Sequence, residues 1–337
     1  MLCARSHIAI RQRAMLGLTG LLFSGVAAAQ LPASREVSVA AIAGVIEAGT
    51  EWQLVWEGSN NADGILGTSD RGVLFAQEQP RQIGRLDSAD RYSVYLSDTR
   101  GVGSLSMDAE GRLWGVERSC TDPGRRSGGA CTEATTISRL EPERRVLADT
   151  FAGGEPLGRL NDLVVDRLGG AYFTVGGAYY ANAAGEVMSL GENLNTNGIM
   201  LSSDERTLYV TNRETVVAFD VARDGSTSNR RDFARLAAGG RGDGLAIDAA
   251  GRLYVTSQPG IQVFAADGGY LGLIPTPRNA ISAAFAGPGK RLLYFVGSGA
   301  ALGPNGTEFQ TPEGVRNNAK TIYKIQMLTQ GFAGRAK

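Results

Sequence analysis

Three stretches of the chain repeat one alternation of polar and apolar positions. They are Asn161-Asp-Leu-Val-Val-Asp-Arg-Leu-Gly-Gly-Ala-Tyr-Phe-Thr174, Asn197-Gly-Ile-Met-Leu-Ser-Ser-Asp-Glu-Arg-Thr-Leu-Tyr-Val-Thr211 and Asp243-Gly-Leu-Ala-Ile-Asp-Ala-Ala-Gly-Arg-Leu-Tyr-Val-Thr256. Each opens on a carboxamide or carboxylate and runs through an apolar strand. It then turns at a polar or glycine-containing loop and returns through a second strand. Weaker copies begin at Asp63, Ser104 and Ile281, the last without its leading polar residue. The starts lie at irregular intervals near the roughly 40–50 residues of a four-stranded propeller blade.

The intervening segments also carry strand patterns. Gln82–Leu86, Thr136–Leu140, Val187–Leu190, Val216–Phe219 and Ile261–Phe264 are short and β-branched or alternating, and each is expected to be the third strand of its blade. Ile322–Gln326 is the same element in the sixth blade, delayed by a polar insertion at about 297–319. Either Val37–Val45 or Gln53–Trp56 supplies the outer strand that closes the ring. The expected architecture is all-β, a six-bladed β-propeller of four-stranded blades around a central channel, occupying residues 30–337. Its geometry places the leading residue of every repeat at the start of an inner strand, near the channel mouth. Oxygen-bearing side chains from separate repeats then converge as they do around a hard cation.

The 46 glycines among 337 residues suit many tight turns. The first 29 residues differ from the rest: Arg5, Arg11 and Arg13 precede an apolar run from Ala14 to Val26, followed by Ala27-Ala28-Ala29. That order is a secretory signal peptide cleaved after Ala29, so the mature protein is expected in the periplasm or outside the cell. The sole histidine, His7, leaves with it. Histidine-dependent catalytic triads and histidine-ligated zinc are thereby excluded from the mature chain. Cys120 and Cys131 remain, bracketing a flexible polar loop, and in an exported protein a disulfide between them is expected. Basic and acidic residues balance at 34 each, and losing three arginines leaves a slight acidic excess without any basic stripe. Nucleic acid is not the expected partner. No later segment approaches the roughly eighteen consecutive apolar residues of a membrane span.

From Trp52 to Ile325 the order and spacing of these motifs resemble the SMP-30/gluconolactonase/luciferin-regenerating-enzyme-like family of six-bladed propellers. The stretch from Phe219 to Phe233 is similar to the family's hairpin after the Asn-Gly blade, and Arg159-Leu-Asn-Asp162 to its Arg-x-Asn-Asp substrate segment. The resemblance implies an axial divalent cation held at the positions of Asp63, Asn197 and Asp243. It also implies substrate contacts from Arg159 and Asn161, with Asp243 as general base. Three positions depart from the family pattern. Ala62-Asp63-Gly64 stands where Glu-Gly-Pro is usual, Gly103-Ser104 where Asn-Gly is frequent, and Val175 replaces an aspartate after Tyr-Phe-Thr. Ser104 is kept as a further candidate substrate contact, and Glu57 as a reserve for the first-blade acid.

Two carboxylates and two carboxamides without histidine or cysteine suit Ca²⁺ first, then Mg²⁺ or Mn²⁺, with Zn²⁺ disfavoured. Such a site activates water and stabilises the oxyanion of a lactone carbonyl. The expected protein is therefore an exported, monomeric, metal-dependent lactonase acting on a small sugar lactone. The alternatives are a non-catalytic binding propeller with a structural cation, or a related esterase acting on lipophilic or organophosphate-like esters. Polar loops such as Arg125–Gly129 favour sugars over the latter.

Overall fold

A computed structural model describes residues 34–58, 60–118, 134–298, 310–311, 314–315 and 319–334. The signal segment, Cys120, Cys131 and most of the 297–319 insertion lie outside the described residues. Six four-stranded antiparallel sheets form the blades. Blade 1 comprises Ile65–Gly67, Val73–Gln77, Gln82–Leu86 and Tyr92–Leu96, and blade 2 comprises Val102–Met107, Leu113–Glu117, Thr136–Arg139 and Arg145–Ala148. Leu163–Val165, Ala171–Val175, Gly177–Ala181 and Val187–Ser189 form blade 3. Blade 4 follows with Thr196–Leu201, Thr207–Asn212, Thr215–Val221 and Thr227–Arg235. Blade 5 is Leu245–Ile247, Leu253–Thr256, Gly260–Phe264 and Tyr270–Pro275, and blade 6 is Ala280–Ala286, Leu292–Ser298, Ala319–Gln326 and Gln53–Glu57. The first strand of each blade touches the first strands of both neighbours, from blade 1 round to blade 6 and back, which closes the ring.

Burial follows that geometry. Inner strands such as Ile65–Gly67, Leu163–Val165 and Leu245–Ile247 are buried throughout, because adjacent blades cover both faces. Outer strands such as Tyr92–Leu96 and Thr227–Arg235 are largely exposed. The polar turn after the inner strand is built by an aspartate in blades 2, 3 and 5. Asp108 Oδ1 accepts the amides of Glu110 and Arg112, Asp166 Oδ1 those of Leu168 and Gly170, and Asp248 Oδ1 those of Ala250 and Arg252. Gly111, Gly169 and Gly251 occupy the left-handed position that each turn requires.

The ring is closed by Gln53–Glu57, which pairs antiparallel with Ala319–Gln326. Trp52 stands edge-on to Phe295, with centroids 4.7 Å apart, and Trp56 reaches Phe75 of blade 1. The other candidate, Val37–Val45, does not become a blade strand. Val39, Ile42, Val45 and Ile46 pack instead against Tyr254, Phe285 and Phe295 beneath blades 5 and 6. One third-strand expectation is corrected. Val187–Ser189 is the outer strand of blade 3, because Gly176, at φ +70°, reverses the chain at once and pairs Val175 with Gly177. Gly177–Ala181 therefore takes the third position. Among the described residues no helix is long and apolar enough to cross a membrane.

Asp248 is fully buried and its Oδ2 also receives Arg252 Nε, Tyr254 Oη and Thr329 Oγ1, tying blade 5 to the C-terminal segment. Asp248→Ala leaves these donors unmatched and should cost about 3 kcal/mol in urea unfolding. Glu214→Ala, which breaks an exposed pair with Arg235, should cost no more than about 1 kcal/mol. Equal losses from the two variants would contradict this account of the turn.

Candidate metal and substrate site at the channel mouth

The leading residues in blades 1, 3 and 5 are placed by one backbone pattern. The amides of Asp63, Asn161 and Asp243 donate to the carbonyls of Ala76, Thr174 and Thr256, at the far ends of the second strands. In blades 2, 4 and 6 the inner strand is longer and its register shifts near Ser104, Asn197 and Ile281. The glycine after the leading residue serves the close approach of neighbouring inner strands. A Cβ on Gly64 would lie 2.6 Å from Ser104 Cα, and one on Gly198 would lie 2.1 Å from the Asp243 carbonyl oxygen. Asp-Gly and Asn-Gly here are therefore inter-blade contacts, not the turns that these dipeptides usually make.

The threonine that ends each of the three clear repeats has a matching task. Thr174 Oγ1 donates to the Asn197 carbonyl, Thr211 Oγ1 lies 3.4 Å from the Asp243 carbonyl, and Thr256 Oγ1 donates to that of Ile281 at 3.0 Å. Each hydroxyl thus holds the leading residue of the next blade. All three threonines are buried.

At the mouth, Asn161 Nδ2 donates to Asn197 Oδ1 at 2.8 Å, linking blades 3 and 4. Asp63, Asn161, Asn197 and Asp243 are each half-buried. Burial is the main force pushing the Asp63 carboxyl up, with the Asp162 charge adding to it, while Arg118 and Arg159 oppose it. Asp243 is pushed well above the ordinary aspartate value, first by burial and then by the charges of Asp63 and Asp162, with Arg118 a partial offset. These mutual effects place the three carboxyl groups within electrostatic reach of one another.

Not every expected site residue faces this centre in the same way. Arg159 is exposed at the rim, its charge reaching Asp63. Ser104 is buried, and its hydroxyl is turned onto Asp162 Oδ1 at 2.6 Å. Glu57 lies exposed on the outer strand of blade 6, away from the inner-strand starts. Three residues without a sequence assignment complete the setting. Asp162 takes Ser104 from blade 2 and the Ile199 amide from blade 4, so it clasps three blades. Arg118 and Glu78 form a buried ion pair that extends to Asp63. Asp162 was legible in Arg-Leu-Asn-Asp, but Arg118 follows an ordinary-looking strand and carries no local signal.

The donor chemistry fits a divalent cation. Asp63, Glu78, Asp162 and Asp243 supply more negative charge than buried Arg118 and exposed Arg159 offset. Among the described residues, no three carboxylate, histidine or cysteine side chains converge closely enough to hold a metal alone. A cation here must therefore also use the carboxamide oxygens, which suits a hard ion.

Residues 80–298 match the model of the SMP-30/gluconolactonase/LRE-like region, a match that begins after Asp63. A gluconolactonase of Zymomonas mobilis subsp. mobilis is 25% identical over 207 residues, covering 52% of this chain and 54% of that protein. The chain thus spans about half the length of this curated relative. Among solved structures, a gluconolactonase from Xanthomonas campestris superposes with a TM-score of 0.67 at 24% identity, covering 88% of this chain and 97% of the other. Regucalcin from Agrobacterium tumefaciens, a calcium-binding protein, gives 0.61 at 15% identity over 84% and 95%. The two structural likenesses support the propeller. Because the family match takes in well over half of the chain, the protein belongs to the SMP-30/gluconolactonase/LRE-like family.

Proposed function

We propose that this protein is a lactonase that hydrolyses a small sugar lactone at the channel mouth with the help of a divalent cation. The observation that carries this reading is the half-buried Asp243 carboxyl within electrostatic reach of Asp63 and Asp162, in the blade next to the linked Asn161–Asn197 pair. Asn197 and Asp243, with Asp63 as the third ligand, are the residues that would hold the ion, and Ca²⁺ suits their oxygen-only chemistry best. When bound, the ion supplies Lewis-acid stabilisation of the lactone carbonyl as it becomes tetrahedral.

The chain's own residues do the rest. Asp243 accepts a proton from the attacking water at a carboxylate oxygen. Arg159, exposed at the rim, and Asn161 bind substrate oxygens and orient the ring. The substrate is small and polar, and the protein acts as a monomer after export to the periplasm or the medium. Ser104, bonded to Asp162, supports the substrate residues from beneath. A second reading, a binding propeller with a structural cation, is favoured by the commitment of one Asp63 oxygen to Arg118.

Asp243→Asn should lower kcat on a sugar lactone by about 10²–10⁴-fold, while far-ultraviolet dichroism and Tm remain those of a folded protein. Full activity in that variant removes the lactonase reading. Chelation that lowers Tm with no turnover on any lactone or ester, before or after Ca²⁺ is returned, selects the binding propeller.

A pH effect follows from the same carboxyl. Without a cation, Asp243 keeps its proton to a higher pH than in the unfolded chain, where aspartate titrates near about 4. The folded state then binds the extra proton, so this group's contribution to apo stability falls as pH rises between the unfolded and folded values. A cation must displace that proton, so Ca²⁺ affinity should weaken on acidification well before ordinary carboxylates titrate. Calorimetry in buffers of different ionisation enthalpy should register proton release on Ca²⁺ binding. A Kd that stays constant down to about pH 4 would exclude Asp243 as a ligand.

A further inference from the structure

Arg118 is the largest buried cationic group described near the mouth, with a side chain only 1% exposed. Its Nε and Nη2 donate to Glu78 at 3.0 and 3.2 Å, and Nη2 also donates to Asp63 Oδ2 at 2.6 Å. Nη1 donates to the carbonyls of Leu160 and Asn161 at 2.9 and 3.2 Å. One planar guanidinium therefore binds blade 1 through Asp63 and Glu78, and the entry to blade 3 through residues 160–161. It does so from the end of the second strand of blade 2.

This is the place in blade 2 where the threonine device is missing. In blades 3, 4 and 5 a threonine hydroxyl approaches the carbonyl of the next blade's leading residue. In blade 2 the aligned residue is Val116, which has no donor, and Arg118 reaches the Asn161 carbonyl instead. Gly103 provides the room, since a Cβ there would lie 2.2 Å from the guanidinium.

We propose that Arg118 is a positioning residue that fixes Asp63 and Asn161 relative to each other, and so sets the blade 1–3 side of the cation and substrate site without touching substrate. This rests on the lactonase reading for what the site binds, but not for the geometry it fixes. Arginine's fork serves carboxylate and carbonyl acceptors at once, whereas lysine offers a point charge on a flexible stem.

The test uses the full mature chain, with Ca²⁺ alone as titrant. Arg118→Lys keeps the charge, so any loss of affinity reports geometry. The double variant Arg118→Met/Glu78→Gln removes one positive and one negative charge together, so the net charge of the cluster is unchanged and Asp63 loses only its guanidinium partner. Each variant is confirmed as folded by its thermal transition. Both should weaken Ca²⁺ binding by about tenfold or more, the usual effect of losing a partner that orients a ligand. Amide exchange at residues 160–163 should accelerate in both. Unchanged Ca²⁺ affinity in both folded variants overturns the proposal, even if Tm falls, because Arg118 then only holds the fold. If the wild-type chain binds no Ca²⁺, the metal-dependent reading fails, and exchange at 160–163 decides alone. Acceleration upholds Arg118 as the residue that orders the mouth, and unchanged exchange overturns it.

Discussion

The structure depends on how closely six short inner strands approach one another around the axis. At that radius there is no room for side chains between neighbouring strand entries, so backbone meets backbone. The amides of Gly64 and Gly244 donate directly to the carbonyls of Gly103 and Ile281 in the next blade. A buried peptide group without a partner would be costly, and each entry must therefore be satisfied from the adjacent blade. Threonine hydroxyls do this after blades 3, 4 and 5, and the Asp162 carboxylate does it between blades 2, 3 and 4. Fixing the entries also fixes the residue just before each glycine, whose side chain has only the channel mouth to enter. The site thus follows from the packing rule that closes the ring.

The same constraint concentrates charge. Carboxylates forced to the axis from blades 1, 3 and 5 cannot separate, and burial deprives them of water. Such an assembly persists only with compensation by protons, by an internal cation or by a bound one. The protein uses the internal cation on one side, where Arg118 sits between Glu78 and Asp63. On the other side, among the described residues, no basic side chain bonds the Asp243 carboxylate, and burial with the charges of Asp63 and Asp162 pushes it well above the ordinary aspartate value. The division leaves Asp63 paired with a guanidinium and Asp243 without such a pairing among the described residues.

The sequence carried the ring because its signals are local. An apolar inner strand, an Asp-x-x-Gly turn and an aromatic-rich return strand repeat within about fifteen residues, and each motif states its own geometry. Asp63, Asn161, Asn197 and Asp243 were legible for the same reason, since their repeat position is also their spatial position. What escaped were relations between blades. The exchange of Val187–Ser189 for Gly177–Ala181 turned on a reversal at Gly176 that leaves both segments looking like strands. Arg118 escaped because its partners lie 40 and 55 residues away, and no spacing rule joins them. Ser104 had the right address, yet the aspartate that captures its hydroxyl sits one blade further on.

These cross-blade relations also connect the departures from the family pattern. The shorter Asp63 is met by the arginine fork, and the fork fits because residue 103 is glycine. Ser104, next to that glycine, bonds Asp162, and Val175 packs with the apolar cluster around Leu157 and Leu160. Leu160 in turn gives its carbonyl to Arg118. These positions therefore form one contiguous set spanning blades 1 to 3, apart from Asn197 and Asp243 in blades 4 and 5. Residues that share partners in this way do not contribute independently. A glutamate at position 63 would push a longer side chain against a guanidinium that Glu78 and two carbonyls hold in place. The mouth is accordingly built from two halves, one presenting Asn197 and Asp243 and the other organised around buried Arg118.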